Sequence, residues 1–189
     1  MEISGHKDLF MVVIGGKPDG RFTEQHDVFF GIGDGLKDLV PSMNEFWPAL
    51  EGRMHIDSWR KISQIGDYKI QINPLSNQRQ SQEKRLYFVN LGGYKPNDME
   101  EYHYKQVVVA GSLAEATKLA KESVFWKHHE SSHIDDKYGI DVDDIYEVSD
   151  LLSPKFKENY QIDIIENPGI KEDSLEVGYL KITKLLSEK

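Results

Sequence analysis

The chain contains no cysteine. That excludes disulfides, thiolate metal ligands and a cysteine nucleophile. It also lacks any run near the roughly 18 apolar residues of a membrane-crossing helix. The opening residues Met1 to Asp8 carry no apolar signal core, so the cytoplasm is the expected location and no membrane partner is expected. Positive charge is in deficit, with 23 Lys and Arg against 32 Asp and Glu, a net charge of -9. A duplex-DNA binder would present a basic stripe to neutralise phosphates. Here the densest basic stretch, Arg79 to Arg85, is diluted by Gln and Ser, so no nucleic acid partner is expected. Serine-hydrolase and kinase signatures are missing as well.

What is present is an internal similarity. Leu9 to Gly33 aligns without a gap on Leu86 to Ala110. Each segment begins with an apolar run ended by a glycine pair, Gly15-Gly16 and Gly92-Gly93, for which tight turns are the expected use. Glu-x-His follows each pair: Glu24 and His26, then Glu101 and His103. A His-Ile-Asp triplet comes later in each half, at His55 to Asp57 and at His133 to Asp135. Apolar strands resemble one another by chance. Ordered Glu, His, His and Asp do so far less readily.

The periodicities predict an α+β fold of two pseudosymmetric ββαββ units packed together about an approximate twofold axis. The expected boundaries are residues 1–74 for the first unit, 75–85 for a polar linker, 86–166 for the second unit and 167–189 for a C-terminal extension. Leu36 to Trp47 has helical spacing, with Asp38 as the expected cap so that Pro41 falls in the first turn. Ser112 to Glu115 is a capping-box pattern opening a helix whose stripe is Leu113, Ala116, Leu119, Ala120 and Val124. Phe46, Trp47, Phe125 and Trp126 are expected to anchor the helix ends in the core. Tyr160 to Ile164 alternates like Tyr68 to Ile72 and is expected to play the same part in the second unit.

Residues two apart on a strand share a face. Glu24 and His26 therefore project together, as do His55 and Asp57 if extended. The first candidate cluster is Glu24, His26, Asp27, His55 and Asp57. The second is Glu101, His103, His133 and Asp135. Two imidazoles and two carboxylates suit a divalent transition metal such as Zn²⁺, Mn²⁺ or Fe²⁺, or a metal-free acid–base pair. The bland alternative is that these groups satisfy one another as a structural network. The copies differ at Asp27 against Tyr104 and at Ser58 against Asp136, which points to one intact site and one altered copy. His129 to His133 spells H-E-x-x-H at the expected end of a helix, where histidines also suit the macrodipole.

Glu24 to Asp27, Trp47-Pro48, His55 to Ser58, Leu91 to Tyr94 and the late Gly178-Tyr179 together resemble the bacterial domain-of-unknown-function family 1543. The resemblance extends over almost the whole chain. It implies a small bacterial protein with the domain in one or two copies, and it carries over no known activity to this chain. The missing catalytic signatures and the acidic, cysteine-free composition make the leading expectation a soluble, non-enzymatic protein that binds a small molecule or a protein and can form a homodimer. The rival is a metal-assisted hydrolase, or another acid–base enzyme, built on the Glu/His/His/Asp cluster.

Overall fold

The computed structural model describes residues 7–76, 81–94, 97–128 and 141–187, and for 124–128 the backbone only. The apolar run Asp8–Gly16 forms β1, whose side chains are buried on both faces along most of its length. It pairs on one side with β2 (Gln25–Gly33) and on the other with β3 (His55–Ile62), both antiparallel. Helix α1 (Leu36–Phe46) and a short 3₁₀ turn (Pro48–Leu50) link β2 to β3. A small second sheet follows from β4 (Gln64–Ile65) and β5 (Tyr68–Pro74).

The second half repeats part of this order. β6 (Arg85–Tyr94) pairs with β7 (Glu101–Ala110) and with β8 (Asp141–Glu147), again antiparallel on both sides. Helix α2 (Leu113–His128) lies between β7 and β8 in sequence. Two short helices, α3 (Val148–Leu151) and α4 (Pro154–Asn159), lead to β9 (Tyr160–Glu166), β10 (Glu176–Lys181) and α5 (Ile182–Ser187). The chain is α+β, with antiparallel sheets.

Residues 1–79 and 151–189 form one compact unit, and 80–150 the other. β9 pairs with β5, residue for residue from Tyr68 opposite Glu166 to Pro74 opposite Tyr160. The alternation that marks β9 as a strand is therefore satisfied in the first unit, not in the second as the sequence suggested. β10 joins the outer edge of β3, so the main sheet of the first unit runs β10-β3-β1-β2. The last segment is also tied down by side chains. Asp173 accepts from the Ser63 N–H at 2.6 Å and the Gln64 N–H at 3.2 Å. Gln64 is buried, and its amide donates to the carbonyls of Gly66 and Asn167 while its oxygen accepts from the Asn167 amide. A buried amide needs such partners, and here they fasten residues 167–173 to the first unit.

Helix α1 begins earlier than its expected cap. Gly35 is the N-cap, without a side-chain bond, and Asp38 instead accepts from the Asp34 N–H at 3.2 Å. Pro41 thus lies within the helix, on its exposed side. Leu39, Val40 and Met43 are buried, and Leu39 sits over Gly31, where any Cβ would come within 2.9 Å of its Cδ2. Phe46 is 44% exposed, its ring meeting Phe29 edge-on at 5.6 Å, so it is not a core anchor. In α2 the N-cap half of the capping box forms, Ser112 Oγ accepting from the Glu115 N–H at 3.2 Å, while Glu115 reaches one residue further back and accepts from the Gly111 N–H at 2.7 Å. The stripe is narrower than its spacing suggested. Ala116 and Ala120 are buried, whereas Leu113 and Leu119 are largely exposed. Close packing on Tyr87, Val89 and Leu91 leaves room only for the small side chains. Val124, Phe125 and Trp126 have side chains outside the described residues.

Candidate metal centre

In an antiparallel pair, residues directly opposite share a face. Gly15 is opposite His26 on β2 and opposite His55 on β3. The three therefore form one row across the sheet, an imidazole on each side of a glycine. The glycine is not a turn residue, as first expected, because it sits within paired strand. Its role is the absence of a side chain. A Cβ there would lie 2.6 Å from His26 Cδ2 and 2.7 Å from His55 Nε2. Both rings lean over the bare backbone, with centroids 6.1 Å apart.

The carboxylates arrive by two devices. Glu24, two residues before His26, brings Oε2 to 3.9 Å from His55 Nε2. Asp57 comes from a register shift: Ile14 faces Ile56 and Val13 faces Ser58, which leaves Asp57 without an opposite residue in β1. Such a bulge re-aims a side chain. Asp57 Oδ2 lies 3.0 Å from His26 Nε2, and Oδ1 lies 3.4 Å from His55 Nε2. So Glu24, His26, His55 and Asp57 converge.

These contacts are close without being hydrogen bonds. His55 is 2% exposed, and its Nε2 has no hydrogen-bond partner; neither has Asp57 Oδ2. Glu24, at 3.9 Å, is beyond hydrogen-bond reach of the His55 nitrogen, and the 3.4 Å approach of Asp57 makes no hydrogen bond. Buried polar atoms without partners are rare and call for an explanation. The donor atoms of Glu24, His26 and His55 lie within 4.8 Å of one another. Metal bonds of about 2.0–2.2 Å allow donors up to roughly 4.4 Å apart, so small side-chain adjustments would let the three share an ion. The donor set and the unpartnered nitrogen both fit a divalent transition metal.

Asp27 takes no part. It is one residue out of phase, and its carboxylate accepts from the Val28 N–H at 2.7 Å. Its counterpart Tyr104 packs against the core of the second unit.

In the second unit, Gly92 is opposite His103 on β7 and Asp141 on β8. The register shift recurs: Leu91 faces Val142, Asn90 faces Asp144, and Asp143 is left without an opposite residue. Pairing thus makes Asp141, Val142 and Asp143 the counterparts of His55, Ile56 and Asp57. His133 and Asp135, expected there from sequence, lie outside the described residues, as does the H-E-x-x-H segment. Asp143 Oδ2 is 3.2 Å from His103 Nε2, and Glu101 Oε2 is 3.9 Å from it. A Cβ on Gly92 would lie 2.3 Å from the Asp143 carboxylate. Two things distinguish this cluster. Where His55 stands, Asp141 is exposed and turned to Lys121 at 3.2 Å, and the Val142 N–H with that lysine holds its carboxyl below the ordinary range. Tyr94 donates to Glu101, which raises the phenol's ionisation above its usual range.

Sequence reasoning missed Tyr179 on β10, which enters the first site. Its ring lies 4.4 Å from that of His55, tilted by 34°. The only signal was its place beside Gly178 in the family pattern.

Residues 21–72 match the family described as Domain of Unknown Function (DUF1543). That segment holds Glu24, His26, His55 and Asp57, and β10 lies outside it. Among solved structures, the chain is similar to a protein Il1583 from Idiomarina loihiensis, with 23% identity and a TM-score of 0.61. That likeness covers 93% of this chain and 97% of the other, and it shows the fold. No curated protein matches the chain at a significant level. Among the described residues, no helix is long and apolar enough to cross a membrane.

Proposed function

We propose that this protein binds a divalent transition metal, Zn²⁺, Mn²⁺ or Fe²⁺, through Glu24, His26 and His55. Asp57 serves as a fourth ligand or as the group that orients His26. The observation that carries this reading is the Nε2 of His55, buried, 3.4 and 3.9 Å from two carboxylates and hydrogen-bonded to neither. A buried imidazole nitrogen left without such a bond is unusual for a purely structural network. The role is binding in the first instance, with the exposed edges of Glu24 and His26 available to a further ligand. Elemental analysis of protein purified without chelator or histidine tag tests it. One transition metal per chain is expected, lost in His55→Ala. Metal-free protein that takes up none of the three ions on titration would end the proposal.

A second reading is metal-assisted hydrolysis. It is favoured by the half-exposed Glu24 and His26, because three protein ligands with an open side are the arrangement of a catalytic metal, which lowers the pKa of bound water to about 7. Asp57, 3.0 Å from His26, would then hold the imidazole in orientation. Turnover of phosphate or carboxylic esters by the metal-loaded protein, abolished in His26→Ala, would distinguish it from simple binding.

We further propose that the two sheets descend from one duplicated ββαβ unit. The support is the shared pairing, with Gly15 and Gly92 each opposite a histidine and each next to a register shift that frees an aspartate.

A further inference from the structure

We propose that Tyr179 is a positioning residue of the metal centre, and that β10 is what makes His55 a buried ligand. This rests on the metal-binding reading above. β10 pairs with β3 so that Lys181 faces His55 and Leu180 faces Ile56. Its register slips between Val177 and Leu180, so that Gly178 and Tyr179 stand beside the bulged Asp57. Tyr179 lies diagonally across from His55, a separation that aromatic side chains span in a sheet. At 4.4 Å and 34° its ring covers one face of the imidazole. Gly15 lies beneath the Nε2 edge. Those contacts leave His55 2% exposed while Tyr179 itself is 61% exposed.

The second unit shows the same position without such a strand. Its sheet runs β7-β6-β8, and among the described residues nothing pairs with the outer edge of β8. The residue in the place of His55 is Asp141, whose side chain is 87% exposed and turned toward Lys121. One like position is thus covered and holds an unpartnered imidazole, and the other is open and holds a solvated carboxylate. A ring held on one face has fewer rotamers to lose on binding, and a drier nitrogen meets a cation at a lower effective dielectric. Both effects act through His55. The tyrosine hydroxyl is not needed.

The test is a Co²⁺ titration of the full chain, read by visible absorption, for the wild type, Tyr179→Phe and Tyr179→Ala. The phenylalanine variant is expected to match the wild type in affinity and spectrum. The alanine variant is expected to bind about 10–100-fold more weakly, the range for losing a group that orients a ligand, with a changed d–d spectrum. Thermal melts check that it is folded, and Tyr179→Leu makes the same comparison if it is not. Wild-type affinity and spectrum in the alanine variant would overturn the proposal, and so would a phenylalanine variant that behaves like alanine. If the wild type binds no Co²⁺, the metal reading falls and this one with it. Loss of the Tyr179 effect alone leaves the metal reading standing.

Discussion

A Cβ placed on Gly15 would stand 2.7 Å from the Nε2 of His55. His26 can swing outward from the same intrusion because it is half-exposed, but His55 is held by burial and by Tyr179. Gly15→Ala is therefore expected to abolish metal binding and to cost roughly 1–3 kcal/mol of stability, the usual range for overpacking. Denaturant melts and metal titration on one preparation measure both. A variant that binds normally would show that the imidazoles do not need the bare backbone.

His26→Ala separates a functional role from a structural one. Its side chain is 44% exposed, so truncation should change stability by no more than about 0.5 kcal/mol. Metal affinity should fall by more than the roughly 10–100-fold that follows loss of an outer-shell partner. A large loss of stability with unchanged metal uptake would favour the structural network instead.

Asp141→His should give the second unit the donor set of the first. Asp141 faces Gly92 as His55 faces Gly15, and Asp143 sits on the bulge as Asp57 does. The substitution also breaks the ion pair with Lys121. Transition-metal stoichiometry by calorimetry is expected to rise from one to two per chain, the second event weaker because no strand covers β8 among the described residues. Unchanged stoichiometry would show that the row of three residues is not sufficient.

The Glu115 cap predicts a pH dependence with a definite sign. Lys84 donates to the carboxylate at 2.8 Å and the Gly111 N–H at 2.7 Å, and in that order they hold its pKa below the ordinary carboxylate range. A depressed folded-state pKa contributes stability above the unfolded value and loses it as pH falls through the folded one. The melting-temperature gap between wild type and Glu115→Gln should thus be constant near neutral pH and close on acidification below the carboxylate range. A gap that stays open in acid would assign the effect to shape instead of charge. Ser112→Ala should cost about 1 kcal/mol at any pH, as loss of an N-cap does.

Much of this was legible in the chain itself. An apolar run broken by glycines makes β1, the alternation from Tyr160 makes β9 a strand, and Ser112 with Glu115 starts a helix, because local periodicity and capping act over a few residues. The spacing of Glu24 and His26 placed them on one face for the same reason. Tertiary pairing decided the rest. Whether β9 serves the first or second unit depends on which strand edge is open, and local pattern carries no record of that. Gly15 reads as a turn until His26 and His55 are found on either side of it. Backbone pairing, not local pattern, puts Asp141 opposite Gly92. Tyr179, far along the chain from His55, meets it only because β10 returns to the edge of β3. The residue types able to hold a metal were set by the sequence. Their convergence, and the burial that leaves one imidazole without a partner, came from strand order, a bulge and a bare glycine.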